Sequence, residues 1–400
     1  NGSFTASGAG LTDNGNGTAS FNASIAGPGN HTITYSYTNG NGCTNTQSQT
    51  VVVNALPSIT FNGLAAQYCN TNPVATLTGF PTGGTFTGAG ITGNTFNPGT
   101  AGTGSHVITY QYTSPSTGCT NTTTQTTIVY AQPLANAGLG GNTCGLTFAL
   151  AATPTVGTGT WSLTGPGTAT YSPNANAASA SATVTVFGAY TFTWTENNNG
   201  CSSTSSVAVN FYDQPIVSAG TGGSECDLDF TFNGSSNVGT GVWSSSGPGT
   251  AFYTNNSSPT SSVMVSTSGV YTFTYTVTNG TCTANSSVTV NFNVLPVANA
   301  GIDGSECDLD FVMNAVPTVG TGTWTQVSGP GSSTFAPNVN SATATVTVTA
   351  SGTYVYQWEE DHNGCTSADN VSVVFHALPT LSISGLNPAY CVNQTGIINM

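Results

Sequence analysis

The chain has no lysine and no arginine among its 400 residues, and its 14 acidic side chains leave a formal charge of −14. Without cations it cannot neutralise a phosphate backbone, which excludes nucleic-acid binding as a function. It also lacks the basic patch that holds a protein on an anionic membrane. An acidic partner would need a bridging metal ion. Missing lysine has two further effects: it removes the residue that often blunts exposed sheet edges, and it rules out Lys–Asn isopeptide cross-links. Long apolar runs are absent as well; none approaches the ~18–20 residues of a membrane-spanning helix. No signal peptide is visible, and the sequence starts at Asn1 rather than Met.

Charged residues make up only 4% of the chain, yet the sequence does not read as disordered. Disorder combines low hydrophobicity with high charge, whereas 37% of this chain is hydrophobic and 10% aromatic. Solubility must come from Thr, Ser, Asn and Gly. Ten cysteines at regular spacing imply an oxidising compartment. No CxxC pair occurs and no histidine lies near a cysteine pair, so a zinc site is not expected.

Internal repeats organise the sequence. A short stretch ending in proline recurs at Pro57, Pro133, Pro215, Pro296 and Pro379, with spacings of 76, 82, 81 and 83 residues. Two repeat types alternate with these boundaries. The first spans 56–131: Tyr68-Cys69, Gly83-Gly84-Thr85-Phe86, His106-Val107-Ile108-Thr109-Tyr110, then Gly118-Cys119-Thr120-Asn121. Residues 1–55 read as the back part of this type (Phe4, His31 to Tyr35, Cys43), and 378–400 as its front part, reaching Tyr390-Cys391. Both ends are therefore expected to fall inside a module. The second type spans 132–213, 214–294 and 295–377. Each copy has an early cysteine (Cys144, Cys226, Cys307), Gly-Thr-Gly-X-Trp (Trp161, Trp243, Trp324), a Gly-Pro-Gly turn, and a late cysteine (Cys201, Cys282, Cys365).

The apolar period is two. Tyr190, Phe192 and Trp194 alternate with Thr191, Thr193 and Thr195, the pattern of half-buried antiparallel strands. Short strands with Gly- and Asn-rich turns predict an all-β tandem array of sandwich modules, elongated in form. Two anchors make the sandwich immunoglobulin-like. The tryptophan after Gly-Thr-Gly takes the place of the core Trp on strand C, a place held by Phe4 and Phe86 in the first type. Tyr190, Tyr271 and Tyr354 open the penultimate strand as a tyrosine corner does. Where an antibody domain has its second cysteine, two residues on, this chain has Phe192, Phe273 or Tyr356. The inter-sheet disulfide is missing, so another must exist. The favoured pairing is within modules: Cys69–Cys119, Cys144–Cys201, Cys226–Cys282 and Cys307–Cys365, leaving Cys43 and Cys391 without partners. The rival joins neighbours across the linker, as in Cys201–Cys226, but an extended segment of that length would hold its ends too far apart.

Phrases such as Tyr68-Cys69, Gly83-Gly84-Thr85-Phe86-Thr87-Gly88, His106-Val107-Ile108-Thr109-Tyr110 and Ala298-Asn299-Ala300-Gly301 resemble one family. It is that of the immunoglobulin-like and PKD-like repeats of very large Bacteroidetes surface proteins, including gliding-motility adhesins. The resemblance covers essentially the whole chain. It implies export by the type IX route and an extracellular, cell-surface role as a filament, stalk or adhesin. It offers no catalytic residues to carry over.

Candidate sites are few. His31 and His106 align with the tyrosine-corner position and read as structural; His362 and His376 lie in a hairpin and a linker. Eleven of the 14 acidic residues fall in 214–377. Glu225, Asp227 and Asp229 share one parity, as do Glu306, Asp308 and Asp310, so each trio would project from one strand face. With no cation to pair them, a solvated acidic edge is the plainer reading. Calcium, with Asp303 joining the second trio, is the alternative. Glu359, Glu360 and Asp361 beside a hairpin point in opposite directions and do not form a glycosidase pair. Trp161, Trp243 and Trp324 read as core rather than as a glycan platform, and the sequons at Asn22, Asn121, Asn233 and Asn370 read as chance. The chain is expected to be a stalk and no enzyme, with no cofactor beyond that calcium. Its partners are expected to be neighbouring modules, other copies in a filament assembling through module edges, or a surface glycan or protein.

Overall fold

The computed structural model describes residues 2–385, 389, 392 and 395–398. Tyr390 and Cys391 lie outside the described residues. The chain forms two compact units, residues 1–141 with 146–211, and residues 142–145 with 212–400.

In the first unit, residues 2–53 form a three-stranded antiparallel sheet ordered Gly2–Ala6, Gly29–Thr38, Thr44–Val53. Phe4 lies opposite Tyr35 in its register. The next repeat has the same three strands (Thr85–Thr87, Gly104–Thr113, Thr120–Tyr130) and a fourth, Gln67–Cys69, parallel to the closing strand. A second layer, built from Thr60–Asn62, Ala75–Thr76, Thr78–Phe80, Ile91–Thr92 and Thr95–Phe96, covers this sheet. Phe61, Leu77, Phe96, Ile108, Tyr110 and Val129 form the core between the layers.

The three tryptophan-bearing copies are full sandwiches. In the second unit, one sheet runs Gly223–Glu225, Cys282–Phe292, Gly269–Asn279, Thr240–Ser246 and the other Asp229–Thr231, Ser262–Val265, Ala251–Tyr253. The copy ending at Cys365–Phe375 repeats this order. The copy with Trp161 has a three-stranded sheet of the same order, Thr147–Ala149, Ser181–Val184, Ala169–Ser172. This is the all-β, immunoglobulin-like tandem array that the period-two pattern predicts. Alternation decides what is buried. Along Gly188–Asn198, Tyr190, Phe192, Trp194 and Glu196 point inward while Thr191 is exposed. Each large apolar side chain buried this way stabilises its sandwich by roughly 1.5–3 kcal/mol.

The Gly-Thr-Gly-X-Trp motif has a steric cause. Its first glycine (Gly157, Gly239, Gly320) has φ of 86°, 87° and 81°, a region that L side chains avoid. Its second lies under the aromatic ring of the adjacent strand: a Cβ on Gly159 would sit 1.8 Å from the Trp194 ring. The motif tryptophan then pairs with that ring, Trp161 with Trp194 and Trp324 with Trp358, each at 5.1 Å between centroids.

The tyrosine corners form as expected. Tyr190, Tyr271 and Tyr354 donate their hydroxyls to the carbonyls of Val186, Thr267 and Ala350, each four residues upstream, at 2.9, 3.0 and 2.9 Å. His31 and His106 make the equivalent bond from Nε2 to the carbonyls of Gly27 and Gly102, both at 2.8 Å. A carbonyl only accepts, so Nε2 carries the proton there.

Candidate functional site: disulfides between consecutive repeats

The closing strand of each repeat places its two cysteines at opposite ends. The late cysteine starts it: Cys201, Cys282 and Cys365 are the first residues of Cys201–Tyr212, Cys282–Phe292 and Cys365–Phe375. The early cysteine lies beside its far end. Cys69 is opposite Tyr130, and the backbone N–H of Gly145, next to Cys144, donates to the Tyr212 carbonyl. Glu225 and Glu306, just before Cys226 and Cys307, are opposite Phe292 and Phe375. A strand of about 11 residues at ~3.3 Å per residue separates the two thiols by roughly 35 Å. A disulfide needs Cα atoms about 4.4–6.8 Å apart.

Pairing within modules is therefore wrong, and none of Cys69–Cys119, Cys144–Cys201, Cys226–Cys282 or Cys307–Cys365 forms. The early cysteine of one repeat instead bonds the late cysteine of the next. Cys69–Cys201, Cys144–Cys282 and Cys226–Cys365 have Cα separations of 5.6, 5.2 and 5.4 Å across 132, 138 and 139 residues of sequence. The rival Cys201–Cys226 fails too. Late-to-early and early-to-late are distinct ways of crossing a linker, and only the second brings a strand end to the following hairpin. Cys119 and Cys307, expected in bridges, are free, as is Cys43. The late cysteines Cys201, Cys282 and Cys365 are buried, while their partners Cys144 and Cys226 are exposed, as are the free Cys43 and Cys307.

Polar contacts reinforce each junction. In the first unit, the hairpin residue Asn198 donates through Nδ2 to the Ala131 carbonyl (2.9 Å), and Gln132 donates to the Ser202 carbonyl (2.5 Å). In the second, Asn279 and Gln214 make the same two bonds, to Asp213 (2.8 Å) and Thr283 (3.0 Å). The linker Gln before proline thus clamps the start of the next closing strand. At the Cys226–Cys365 junction, Asn363 reaches Asn293 Oδ1 instead (3.4 Å).

Two buried carboxylates brace the sandwiches themselves. Glu196 Oε1 accepts from the Trp194 indole at 3.0 Å, and Oε2 from the Thr155 N–H and hydroxyl at 3.0 and 2.8 Å. Glu360 repeats this with Trp358 (3.1 Å) and Thr318 (3.0 and 2.7 Å). Burial pushes both carboxyls up. The backbone, hydroxyl and indole donors outweigh it and hold both below the ordinary glutamate range. The middle copy replaces the whole set: Tyr275 stands for Trp, buried Val277 for Glu and Asn237 for Thr. The sequence reading missed Glu196. The signal was there, since Trp-X-Glu and Thr-Val-Gly recur together in two copies and are lost together in the third. Glu359 and Asp361 point outward as expected.

The acidic trios do not share a strand. Glu225 closes Gly223–Glu225 in one sheet, and Asp229 opens Asp229–Thr231 in the other, with Asp227 in the turn between them. Glu306, Asp308 and Asp310 are arranged alike. Strand parity does not carry across such a turn. Asp227 and Asp308 instead accept from the backbone of Asp229 and Asp310 at 3.4 and 3.3 Å, and Asp303 accepts from Ser372 N–H at 2.8 Å. Among the described residues, no group of three or more His, Cys, Asp or Glu is placed to hold a metal ion. Trp161, Trp243 and Trp324 are buried.

No family model matches the chain, and no curated protein does. Among solved structures it is similar to the I67–I69 fragment of titin, at 14% identity over 62% of this chain and 100% of that one, with a TM-score of 0.37. Extracellular domains 3–5 of Drosophila OTK match at 15% identity over 62% and 96%, TM-score 0.31. The N-terminal eight immunoglobulin domains of Down Syndrome Cell Adhesion Molecule match at 11% over 90% and 60%, TM-score 0.30. At these scores the likeness carries no argument. The immunoglobulin-like assignment rests on the sheet orders, the strand-C tryptophans and the tyrosine corners.

Proposed function

We propose that this chain is a load-bearing repeat region of an extracellular surface protein, of the stalk or adhesin class found in Bacteroidetes, and that it performs no catalysis. The observation that carries this reading is the overlap of the three disulfide loops. Cys69–Cys201 and Cys226–Cys365 leave a shortest covalent route from Cys69 to Cys365 that crosses two bridges and only the backbone from 201 to 226. That is roughly 25 residues, or at most about 90 Å fully extended, against about 1,000 Å for the same interval without bridges. Between Cys69 and Cys365 a surface stalk under tension can then lose sandwich structure with little lengthening. Disulfides of this kind persist in oxidising, extracellular settings, and a chain without Lys or Arg offers trypsin-like proteases no site.

Single-molecule pulling from the two termini tests this. Oxidised chains should show a contour-length gain smaller than that of reduced chains by about 900 Å. Equal gains in both states would end the load-bearing reading.

A further inference from the structure

The second repeat leaves open a place that the other repeats fill with their own chain. In each tryptophan-bearing copy a long connection (173–180, 254–261 or 337–344) joins two strands of the smaller sheet. It crosses the free edge of the tryptophan strand and caps the outward N–H there. Trp161 donates to the Ala175 carbonyl, Trp243 to that of Asn256 and Trp324 to that of Val339, each at 2.8 Å. In the first repeat the Asp13 carboxylate accepts from Phe4 N–H at 2.9 Å.

In the second repeat the same connection shrinks to Gly93 and Asn94, between Ile91–Thr92 and Thr95–Phe96. Thr85–Thr87 is the edge of its sheet, and Phe86 lies opposite Tyr110 as Trp161 lies opposite Trp194. Alternate residues of an antiparallel edge turn their N–H and C=O outward, so Gly84 and Phe86 face outward as Gly159 and Trp161 do. Among the described residues, no oxygen meets the Phe86 N–H. A cleft of about 490 Å³ takes the place of the connection. It lies between the Gly84-Thr85-Phe86 edge and the Gly93-Asn94 turn, and no charged side chain lines it.

The filled copies show what chemistry fits this edge. Besides the carbonyl, two of them supply a carboxamide. Asn176 Nδ2 donates to the Gly159 carbonyl at 2.9 Å and to Thr160 Oγ1 at 2.6 Å. Asn340 Nδ2 does the same to Gly322 and Thr323, at 2.9 and 2.8 Å. Each of these Asn residues closes a tight turn: its N–H donates to Oδ1 of the Asn two residues earlier, Asn174 or Asn338, at 2.9 Å. The surface they read is a Gly-Thr-aromatic run, Gly159-Thr160-Trp161 or Gly322-Thr323-Trp324. In the middle copy Val242 replaces the Thr and Ser257 replaces the Asn, so the hydroxyl and the carboxamide are lost together. The second repeat keeps the full run, Gly84-Thr85-Phe86, without a carboxamide of its own bonded to it.

We propose that this cleft receives an uncharged Asn-X-Asn turn from a partner protein. The carbonyl of X accepts from the Phe86 N–H, and the second Asn donates to the Gly84 carbonyl and the Thr85 hydroxyl. The internal connections are the template for this ligand, and shortening one of them frees the site for a chain in trans. A charged segment is disfavoured, because the cleft holds no counter-charge to offset its desolvation. A few hydrogen bonds over a small contact give a free peptide an affinity in the millimolar range. The site uses none of the bridging cysteines, so it stands or falls independently of the load-bearing reading.

The test titrates the acetylated and amidated peptide Asn174-Ala175-Asn176-Ala177-Ala178 into the oxidised, 15N-labelled full chain and follows its backbone amides by NMR. The proposal expects saturable shifts at Gly84, Thr85 and Phe86, and none at Trp161 or Trp324, whose edges are already filled. The same peptide carrying Asn176→Leu should bind about tenfold more weakly, through loss of the carboxamide bonds. A chain carrying Thr85→Val should weaken the natural peptide by a similar factor. Thr85 is exposed and Val242 holds its place in the middle copy, so this variant keeps the fold. No saturable shift at Phe86, equal binding of the Asn176→Leu peptide, or shifts at Trp161 and Trp324 instead would overturn the proposal. So would shifts at Phe86 with a neutral oligosaccharide such as maltotriose and none with the peptide.

Discussion

Cys69 and Cys201 lie 132 residues apart in sequence and 5.6 Å apart between Cα atoms, because one ends a strand beside a linker and the other opens the hairpin arm that returns to it. The bridge therefore fixes a junction rather than a core. Closing a loop of this length contributes about 5 kcal/mol by the chain-entropy model. Overlap with the neighbouring loop makes the contributions non-additive.

Replacing both Cys69 and Cys201 by serine should thus lower stability by about 2–4 kcal/mol, the usual range for a native bridge. Chemical denaturation of the oxidised protein measures it. Loss confined to the repeats flanking that junction, seen by hydrogen exchange, is the expected pattern.

Glu196→Ala should be more damaging than its exposed neighbour Asn197→Ala. It leaves the Trp194 indole and the Thr155 N–H buried without an acceptor, a loss of about 2–4 kcal/mol. The middle copy shows what a compatible change requires: Tyr, Val and Asn together. Trp194→Tyr, Glu196→Val and Thr155→Asn in combination should recover most of that loss.

Acid should weaken the first and last tryptophan-bearing copies before the middle one. Glu196 and Glu360 have folded-state pKa values held below the ordinary value of 4.5. Their stabilisation is complete above that value and is lost as pH falls through the lowered folded ones. Thermal midpoints measured from pH 6 to pH 2 should fall more steeply for the natural chain than for one carrying Glu196→Gln and Glu360→Gln.

Removing one corner hydroxyl is a smaller perturbation. Tyr271→Phe deletes the bond to the Thr267 carbonyl and leaves the ring in place, at a cost of about 1 kcal/mol. His106→Tyr should keep the bond to Gly102, since both side chains serve that position.

Much of this was legible in the sequence. Period-two alternation from Tyr190 to Trp194 revealed strands, and Gly-X-Tyr revealed the corner, because both depend on local geometry. The disulfides were not legible in the same way. Cys226 and Cys282 look like partners along the sequence, and only the parallel pairing of the early strand shows that they occupy opposite ends of one strand. The acidic trios misled for a related reason: Glu225 and Asp229 share a parity, but Cys226 to Leu228 turn the chain from one sheet into the other. Glu196 was overlooked because a charged residue on a strand reads as solvent-facing unless its donors, here 41 residues away at Thr155, are known.

The most direct test of the account is disulfide mapping of the unreduced protein. Chymotrypsin or pepsin must be used, since trypsin has no site. The account predicts peptides joining Cys69 to Cys201, Cys144 to Cys282 and Cys226 to Cys365. Peptides joining Cys69 to Cys119, Cys144 to Cys201 and Cys226 to Cys282 would contradict it.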